Sequence, residues 1–247
     1  MLAHRAVAFS VLAILLAGTF CTRAVDSPRA DAGDAYAPKR QAMVRDQIAG
    51  RGVGDGQVLA AMGSVPRHLF VPADASAEAY DDYPLPIGSG QTISQPYIVA
   101  YMSELLAVQK THKVLEVGTG SGYQAAVLSL LADRVYSIEI VEELGREAAA
   151  RLEKLGYGNV EVRIGNGYLG WPEEAPFDRI MLTAAPEEIP PALLAQLSAN
   201  GILVAPVGPA SSAQQLVVVH KDAEGRLQSR AVLPVRFVPM VQKPQQP

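Results

Sequence analysis

The sequence predicts an α/β protein with one doubly wound, mainly parallel sheet, helices on both faces and an antiparallel hairpin at its C-terminal end. Three observations favour this class. From Lys113 onward, short β-type runs alternate with helical segments, which is typical of βαβ units. A glycine-rich turn joins the first of these strands to the helix after it. Beyond Gly208, two β-type runs flank a turn without an intervening helical pattern.

The composition fits a folded globular domain. The chain has 247 residues, 49% of them apolar and 19% charged, with a formal net charge of −4, which excludes a disordered chain. We expect no nucleic-acid partner, because phosphate binding needs clustered Lys and Arg. The sole cysteine, Cys21, excludes a disulfide framework and a zinc site built on two or more cysteines. The histidines share no metal-ligand spacing, so we predict no metal site.

The first 24 residues are typical of an export signal. Arg5 precedes an uncharged run over residues 6–20, and Thr22-Arg23-Ala24 offers a small-x-small cleavage pattern. This run is shorter than the roughly 20 apolar residues of a transmembrane helix, and no later stretch approaches that length. We therefore predict a signal peptide over 1–24, a flexible linker over 25–38 and a single domain over 39–247, exported or periplasmic, without a stable membrane span. An uncleaved N-terminal anchor and a cytoplasmic location are the alternatives.

The first part of the domain is predicted to consist of helices and loops. Helical patterns begin at Lys39 and break at Gly50-Arg51-Gly52, which divides them into two short helices. The prolines of residues 65–72 predict an extended segment, and the Tyr, Pro and Gly residues of 73–96 predict a loop. A helix is predicted over 96–109, because proline suits the first turn of a helix.

The rest of the domain supplies the predicted sheet. Each strand is a short β-type run, and each helix between two strands has an apolar or amphipathic pattern. Asn200-Gly201 predicts a turn before the last parallel strand. The strands are predicted at 113–117, 134–140, 160–164, 177–183 and 202–207, the helices at 123–131, 141–155 and 190–197, and the hairpin strands at 215–221 and 226–237.

The glycine turn is the clearest local signal of a ligand site. Gly118, Gly120 and Gly122 follow a predicted strand, where glycines let the backbone approach a ligand at the carboxyl end of the sheet. Glu139 closes the next strand about twenty residues later, the position from which a carboxylate accepts hydrogen bonds from ribose hydroxyls. Together these residues indicate an adenosine-bearing ligand.

A dinucleotide is not the expected ligand. The G-x-G-x-x-G pattern requires a third glycine where this chain has Tyr123. Glu116, just before the turn, would lie poorly beside a pyrophosphate but well beside a cation. S-adenosylmethionine carries a sulfonium and an ammonium and no phosphate. It therefore suits a site that has both Glu116 and Glu139. A nicotinamide-dependent reductase is therefore disfavoured.

Several further motifs occur in order between about Lys39 and Val241. They are Val65-Pro66-Arg67, Phe70-Val71-Pro72, Gly90-Gln91-Thr92-Ile93-Ser94-Gln95-Pro96, the turn from Leu115 to Tyr123, Ala175-Pro176-Phe177-Asp178, the run from Gly201 to Gly208, and Arg236-Phe237-Val238-Pro239. With these motifs the chain resembles the protein-L-isoaspartate O-methyltransferases. Many methyltransferases share the glycine turn, whereas the Thr-Ile-Ser-Gln-Pro segment is the specific part.

This resemblance implies a Rossmann-like methyltransferase fold and a defined reaction. S-adenosylmethionine would give a methyl group to the free α-carboxylate of an L-isoaspartyl residue in a damaged protein or peptide, and the ester would collapse to a succinimide. The resemblance implies Ser94 as the catalytic residue, with Thr92 and Ile93 toward the substrate. Arg67 or Arg236 is a further candidate to contact a substrate carboxylate, with ordinary surface pairing as the alternative. It implies that the cofactor is held by Glu116, Gly118, Gly120, Gly122, Glu139 and Asn166.

The residue chemistry agrees with this reaction. A carboxylate with a pKa of about 3.5–4 is already ionised at neutral pH, so its methylation needs no general base and no metal. Alignment and exclusion of water then remain as the catalytic tasks. Ser94 is accordingly interpreted as a hydrogen-bonding positioner rather than a nucleophile, and a helix cap before Pro96 is its alternative role.

One residue departs from the family's pattern. The family usually has Gly-Asp-Gly after the third strand, whereas this chain has Gly165-Asn166-Gly167. The Asp is expected near the adenine amino group, where an Asn oxygen can still accept a hydrogen bond, but without charge. We therefore predict weaker cofactor binding rather than its loss.

Two other functions stay open on sequence grounds. One is a related methyltransferase that acts on another carboxylate or a small metabolite. The other is a non-catalytic protein that binds isoaspartyl segments or the cofactor, because an export signal would separate an enzyme from the cytosolic supply of S-adenosylmethionine. A monomer is the default expectation.

Overall fold

One seven-stranded sheet organises the fold. The computed structural model describes residues 34–242, so the predicted signal peptide over 1–24, with Cys21, and most of the predicted linker over 25–38 lie outside the described residues. The strands are β1 (Leu85–Gly88), β2 (Gln91–Ile93), β3 (Lys113–Val117), β4 (Arg134–Glu139), β5 (Val160–Ile164), β6 (Phe177–Leu182), β7 (Leu197–Val207), β8 (Gln214–Lys221) and β9 (Leu227–Val235).

The strand order confirms the predicted doubly wound class. β1 and β2 form a separate antiparallel pair, and the other seven strands lie in the order β5-β4-β3-β6-β7-β8-β9. Strands β3 to β7 run parallel, while β8 and β9 are antiparallel to their neighbours. The order reverses between β3 and β6, and ligands of such sheets bind at the carboxyl ends of the strands at this switch point.

Helices cover both faces of the sheet. Along β3 and β6, Val114 and Met181 belong to the core that also contains buried residues of helices before and after β3, whereas Leu115 and Ile180 belong to the core on the other face. The α-helices are α1 (Ala37–Ala42), α2 (Gly56–Ser64), α3 (Pro96–Leu106), α4 (Tyr123–Ser129), α5 (Glu142–Lys154) and α6 (Pro191–Gln196). Among the described residues no helix is both long and apolar enough to span a membrane.

Most predicted elements of the sheet region are confirmed within one or two residues. The exception is β7, which begins at Leu197 rather than at Ile202. Its register shifts there, because Leu197 pairs with Phe177 and Ile202 pairs with Arg179. The predicted turn at Asn200 lies in the extra residues, with a positive φ of 61°. The strand therefore bulges where the turn was expected.

The N-terminal region differs more from its prediction. The break at Gly52 is confirmed, since α1 continues as a π-helical and then a 3₁₀ turn to Arg51 and Gly52 has a φ of 97°. The predicted extended segment over 65–72 is wrong, because Arg67–Phe70 forms a 3₁₀ turn. The predicted loop over 73–96 is also wrong, because it contains the 3₁₀ helix Ala73–Glu78 and the pair β1–β2. These elements are too short to show a helical or alternating pattern.

Candidate active site

A cavity of about 930 Å³ opens at the carboxyl ends of β3, β4 and β6. This volume suits a ligand of cofactor size. Its walls come from residues far apart in the chain, at 89–94, 117–121, 138–143, 183–184 and 238–241. The position coincides with the switch point of the sheet, where doubly wound folds bind ligands.

The glycine turn lines this cavity at positions where its backbone lies close to neighbouring segments. Gly118 has a φ of 104°, and a Cβ on it would lie 2.4 Å from Thr183 Oγ1. The Thr183 hydroxyl donates a hydrogen bond to the Gly118 carbonyl at 2.5 Å, which fixes the turn against the end of β6. Gly120 has a φ of 53°, and a Cβ there would lie 3.2 Å from Ile87 of β1. Both positions line the cavity, and both exclude an ordinary side chain.

Gly122 has a different place from the other two glycines. It is not among the residues that line the cavity. A Cβ on Gly122 would meet Leu152 of α5 at 3.2 Å, and its φ is 88°. The structure therefore places Gly122 at the packing contact between the start of α4 and α5.

Glu139 ties the end of β4 to the glycine turn. Its carboxylate is nearly buried, lines the cavity, and accepts hydrogen bonds from the backbone N–H of Gly120 at 2.7 Å and of Ile140 and Val141 at 2.9 Å. Oε1 receives two of these bonds and Oε2 receives one. A carboxylate has about four acceptor positions, so Oε2 can accept one further donor from the cavity.

Glu116 lies behind the wall rather than on it. Its side chain is fully buried, and Ser137 donates a hydrogen bond at 2.5 Å to Oε2 while sharing another with Thr119. Oε1 has no hydrogen-bond partner among the described residues. Burial raises the pKa of Glu116 to about 8, with a smaller contribution from the charge of Glu139, and the Ser137 bond opposes the shift. Thr119 lines the cavity, so Thr119 and Ser137 link Glu116 to it.

Ser94 reaches the cavity from outside the seven-stranded sheet, because it follows β2 of the separate pair β1–β2. It lines the cavity together with Thr92 and Ile93. Ser94 makes no cap to α3: the N-cap position is Gln95, and no side chain caps that helix. The Ser94 carbonyl accepts a hydrogen bond from Arg67 at 2.8 Å.

Two more of the predicted residues, Asn166 and Arg236, lie off the cavity wall. Asn166 precedes Gly167, which lines the cavity, but the Asn166 side chain accepts a hydrogen bond from the backbone of Tyr168 at 3.0 Å. Arg236 is exposed and is absent from the lining, although residues 238–241 belong to it. The structure thus brings together Ser94, Thr92, Ile93, Gly118, Gly120 and Glu139, and leaves Glu116, Gly122, Asn166 and Arg236 off the wall.

Several parts of the wall were not predicted as site residues, and they include residues 183–184, residues 238–241 and Tyr123. Thr183 and Ala184 follow β6, so the switch-point rule could have pointed to them. The segment 238–241 reaches the cavity because the backbone of Ala185 bonds to Val238 and Met240 at 2.8 Å, and no local sequence signal predicts such a contact. Tyr123 was noted only as a mismatch, yet it also lines the cavity. Among the described residues no cluster of three or more His, Cys, Asp or Glu could hold a metal ion.

Comparisons with known proteins give one consistent family. Residues 38–245 match the family model described as Protein-L-isoaspartate(D-aspartate) O-methyltransferase (PCMT). A relative from Polaromonas sp. (strain JS666 / ATCC BAA-500), Protein-L-isoaspartate O-methyltransferase 2, is 60% identical over 186 residues, which are 75% of this chain and 88% of that protein.

Two solved structures share the fold. A protein-L-isoaspartate O-methyltransferase is 29% identical with a TM-score of 0.73, and the match covers 82% of this chain and 65% of that one. A Plasmodium falciparum protein in complex with S-adenosyl-L-homocysteine also has a TM-score of 0.73, at 23% identity, over 83% of this chain and 99% of that one.

Proposed function

This chain belongs to the protein-L-isoaspartate(D-aspartate) O-methyltransferase family, and we propose that its cavity is where a methyl group passes from S-adenosylmethionine to an isoaspartyl carboxylate. The chain is accordingly a repair methyltransferase whose substrates are proteins and peptides with L-isoaspartyl residues. The observation that carries the proposal is a single cavity that is lined both by Glu139 and the glycine turn of the seven-stranded sheet and by Ser94, which follows the separate strand pair β1–β2.

The residues of the sheet side fit S-adenosylmethionine. Gly118 and Gly120 expose backbone in places that a Cβ would fill, and the free position on Glu139 Oε2 suits one ribose hydroxyl. Glu116 lies behind the wall with Oε1 unpartnered among the described residues, and a ligand with cationic groups would favour the ionised form of this carboxyl. When bound, S-adenosylmethionine supplies an activated methyl group on a sulfonium.

The acceptor side has a simpler task. An isoaspartyl α-carboxylate is ionised at neutral pH, so no residue needs to remove a proton. Ser94, with Thr92 and Ile93 beside it, would orient the carboxylate by hydrogen bonding and contact. Residues 89–93 of the hairpin segment and residues 238–241 also line the cavity, and with both ligands bound they would reduce the access of water, which favours an in-line transfer.

The experiment is methyl transfer with labelled S-adenosylmethionine. The purified full chain is given an L-isoaspartyl peptide or its L-aspartyl twin, which differ only in the backbone linkage. The proposal predicts base-labile label on the isoaspartyl peptide alone. Label on neither peptide, with cofactor binding intact by calorimetry, would contradict it and favour a different acceptor or a binding protein.

We also propose that the protein is exported and acts as a monomer. The N-terminal signal pattern supports export, and an exported enzyme would need a source of S-adenosylmethionine outside the cytosol. Cell fractionation with N-terminal sequencing tests this: a chain that starts at Val25 in the exported fraction supports export, and an intact N-terminus in the cytosol contradicts it. Light scattering tests the monomer.

A further inference from the structure

Arg67 is a buried cation next to the acceptor side of the cavity. Its side chain has no exposed surface, and its guanidinium donates hydrogen bonds to the carbonyl of Ala79 at 2.7 Å and of Ser94 at 2.8 Å. The guanidinium carbon lies 4.8 Å from the ring centroid of Tyr123. Ser94 and Tyr123 line the cavity and Arg67 does not, so its charge lies one layer behind the wall.

These three contacts connect both sides of the site. Ala79 comes before the hairpin β1–β2, Ser94 comes directly after it, and Tyr123 begins α4 after the glycine turn. One planar guanidinium therefore holds the two ends of the hairpin segment together and places them against the helix on the cofactor side. A shift of Arg67 would move the backbone of Ser94.

The charge of Arg67 is only weakly compensated: Tyr123 and the charge of Asp82 oppose the effect of burial on its pKa, but without an ion pair. None of the ion pairs among the described residues includes it, and Nη1 has no hydrogen-bond partner there. Burial lowers the pKa of Arg67 to about 10, so the group stays protonated at neutral pH. A buried cation without an ion pair is unfavourable for stability, and both acceptors of its hydrogen bonds are neutral carbonyls. The two hydrogen bonds therefore do not by themselves explain the charge.

We infer that Arg67 is a positioning residue for Ser94 and that its positive charge makes the acceptor side of the cavity select an anionic group over a neutral one. This inference rests on the proposed function, because it assigns the selected anion as the isoaspartyl α-carboxylate. Arg67 itself does not touch the substrate. It acts through the Ser94 backbone and through the electrostatic field that its charge, one layer behind the wall, produces in the cavity.

The test separates the charge of Arg67 from its geometry. Arg67→Gln removes the charge, whereas Arg67→Lys keeps the charge but lacks the planar guanidinium that donates both hydrogen bonds. Arg40→Gln and Arg40→Lys are controls, because Arg40 is also a buried arginine and does not line the cavity; it has hydrogen bonds to Gly63 and Tyr80 and, unlike Arg67, an ion pair with Asp34 at 2.7 Å. Each full-length variant is measured for kcat and KM with the isoaspartyl peptide. Calorimetry, with S-adenosylhomocysteine present, then compares that peptide with its α-carboxamide analogue.

The ratio of the two affinities is the readout that a merely structural role would not change. We expect the wild type to prefer the carboxylate by about tenfold or more, as a cation several ångströms away would give. Arg67→Gln should lose most of this preference. Arg67→Lys should keep it while kcat falls about tenfold or more, since small misplacements cost up to about 10²-fold. Both Arg40 variants should keep the ratio and kcat.

The outcomes are distinguishable. An unchanged ratio in Arg67→Gln, in a wild type that methylates the isoaspartyl peptide, would overturn this inference and leave the proposed function intact. If Arg67→Gln does not fold, an Arg67→Lys variant with unchanged kcat would overturn it. Absence of methyl transfer by the wild type would overturn the proposed function together with the inference.

Discussion

The two sides of the cavity are built in different ways. On the sheet side, the glycine turn and Glu139 follow directly from β3 and β4, and the backbone N–H groups of Gly120, Ile140 and Val141 hold the Glu139 carboxylate. On the acceptor side, Ser94 follows a short hairpin that is held by side chains from distant segments. Arg67 bonds to both ends of it, and Gln95 bonds to the carbonyl of Asp82 at 2.9 Å.

The two sides should therefore respond differently to substitutions. The sheet side depends on backbone conformation, so one added Cβ disrupts it. The acceptor side depends on hydrogen bonds between side chains and carbonyls. Substitutions there should therefore lower activity by different amounts and leave the affinity for the cofactor unchanged. Single substitutions on each side of the cavity test this difference.

The largest effect is expected from Gly118→Ala. The added Cβ would lie 2.4 Å from Thr183 Oγ1, at a φ of 104°. Positive φ costs a non-glycine residue about 1–2 kcal/mol, and the clash costs about 1–3 kcal/mol more. We expect S-adenosylmethionine affinity and activity to fall by about 10²-fold or more, as measured by calorimetry and labelled methyl transfer.

Gly54→Ala is the matched control for that variant. A Cβ on Gly54 would have no atom within 4 Å, and its φ is not positive, so affinity and activity should stay at wild-type values. Wild-type cofactor affinity in Gly118→Ala would show that the turn does not hold the cofactor.

Ser94→Ala should have the second-largest effect, confined to the acceptor side. Loss of a hydroxyl that orients the carboxylate should lower kcat by about 10- to 100-fold, while the affinity for S-adenosylmethionine stays unchanged. Ser64→Ala, on the exposed end of α2, is the control. A parallel loss of cofactor affinity would break the proposed division between the two sides.

The same division explains what the sequence could predict. β3, its glycine turn and Glu139 were predictable, because strand patterns and turn glycines are local signals. The 3₁₀ turn at Arg67 and the hairpin before Ser94 were not, because distant hydrogen bonds such as Arg67 to Ser94 fix them. The place of Ser94 came from resemblance rather than from periodicity. The contribution of residues 238–241 depends on pairing with Ala185, which no local pattern encodes.

Glu116→Gln should change the pH dependence of stability. The pKa of Glu116 is raised to about 8 in the folded protein, from an ordinary value of 4.5. Between these values the folded state binds more protons than the unfolded state, so stability falls as pH rises from about 4.5 to 8. Gln carries no charge at any pH. We expect the Tm of the variant relative to wild type to rise by several degrees from pH 5 to pH 8, since 1 kcal/mol corresponds to about 2–4 °C.

Scanning calorimetry of the ligand-free proteins checks this prediction. Glu153→Gln, on the exposed side of α5, should show no such trend. A Tm difference that is constant from pH 5 to pH 8 would mean that Glu116 is ionised in the folded protein throughout that range.

The smallest effect is expected from Asn166→Asp. The Asp oxygen can still accept the Tyr168 N–H, so the local turn should persist, and its added charge favours the adenine amino group. We expect S-adenosylmethionine to bind about two- to fivefold tighter by calorimetry. Asn200→Asp adds the same charge on the exposed bulge of β7 and should leave the affinity unchanged. Equal or weaker binding by Asn166→Asp would place residue 166 outside the adenine contact.

A crystal structure of the full chain with S-adenosylhomocysteine and an isoaspartyl peptide tests the central claim most directly. We expect a ribose hydroxyl within about 3.2 Å of Glu139 Oε2 and the isoaspartyl α-carboxylate within hydrogen-bond distance of Ser94 Oγ. Both ligands should occupy the cavity between the glycine turn and the hairpin. A ribose held elsewhere, or a peptide carboxylate bound away from Ser94, would contradict the assignment of the two sides.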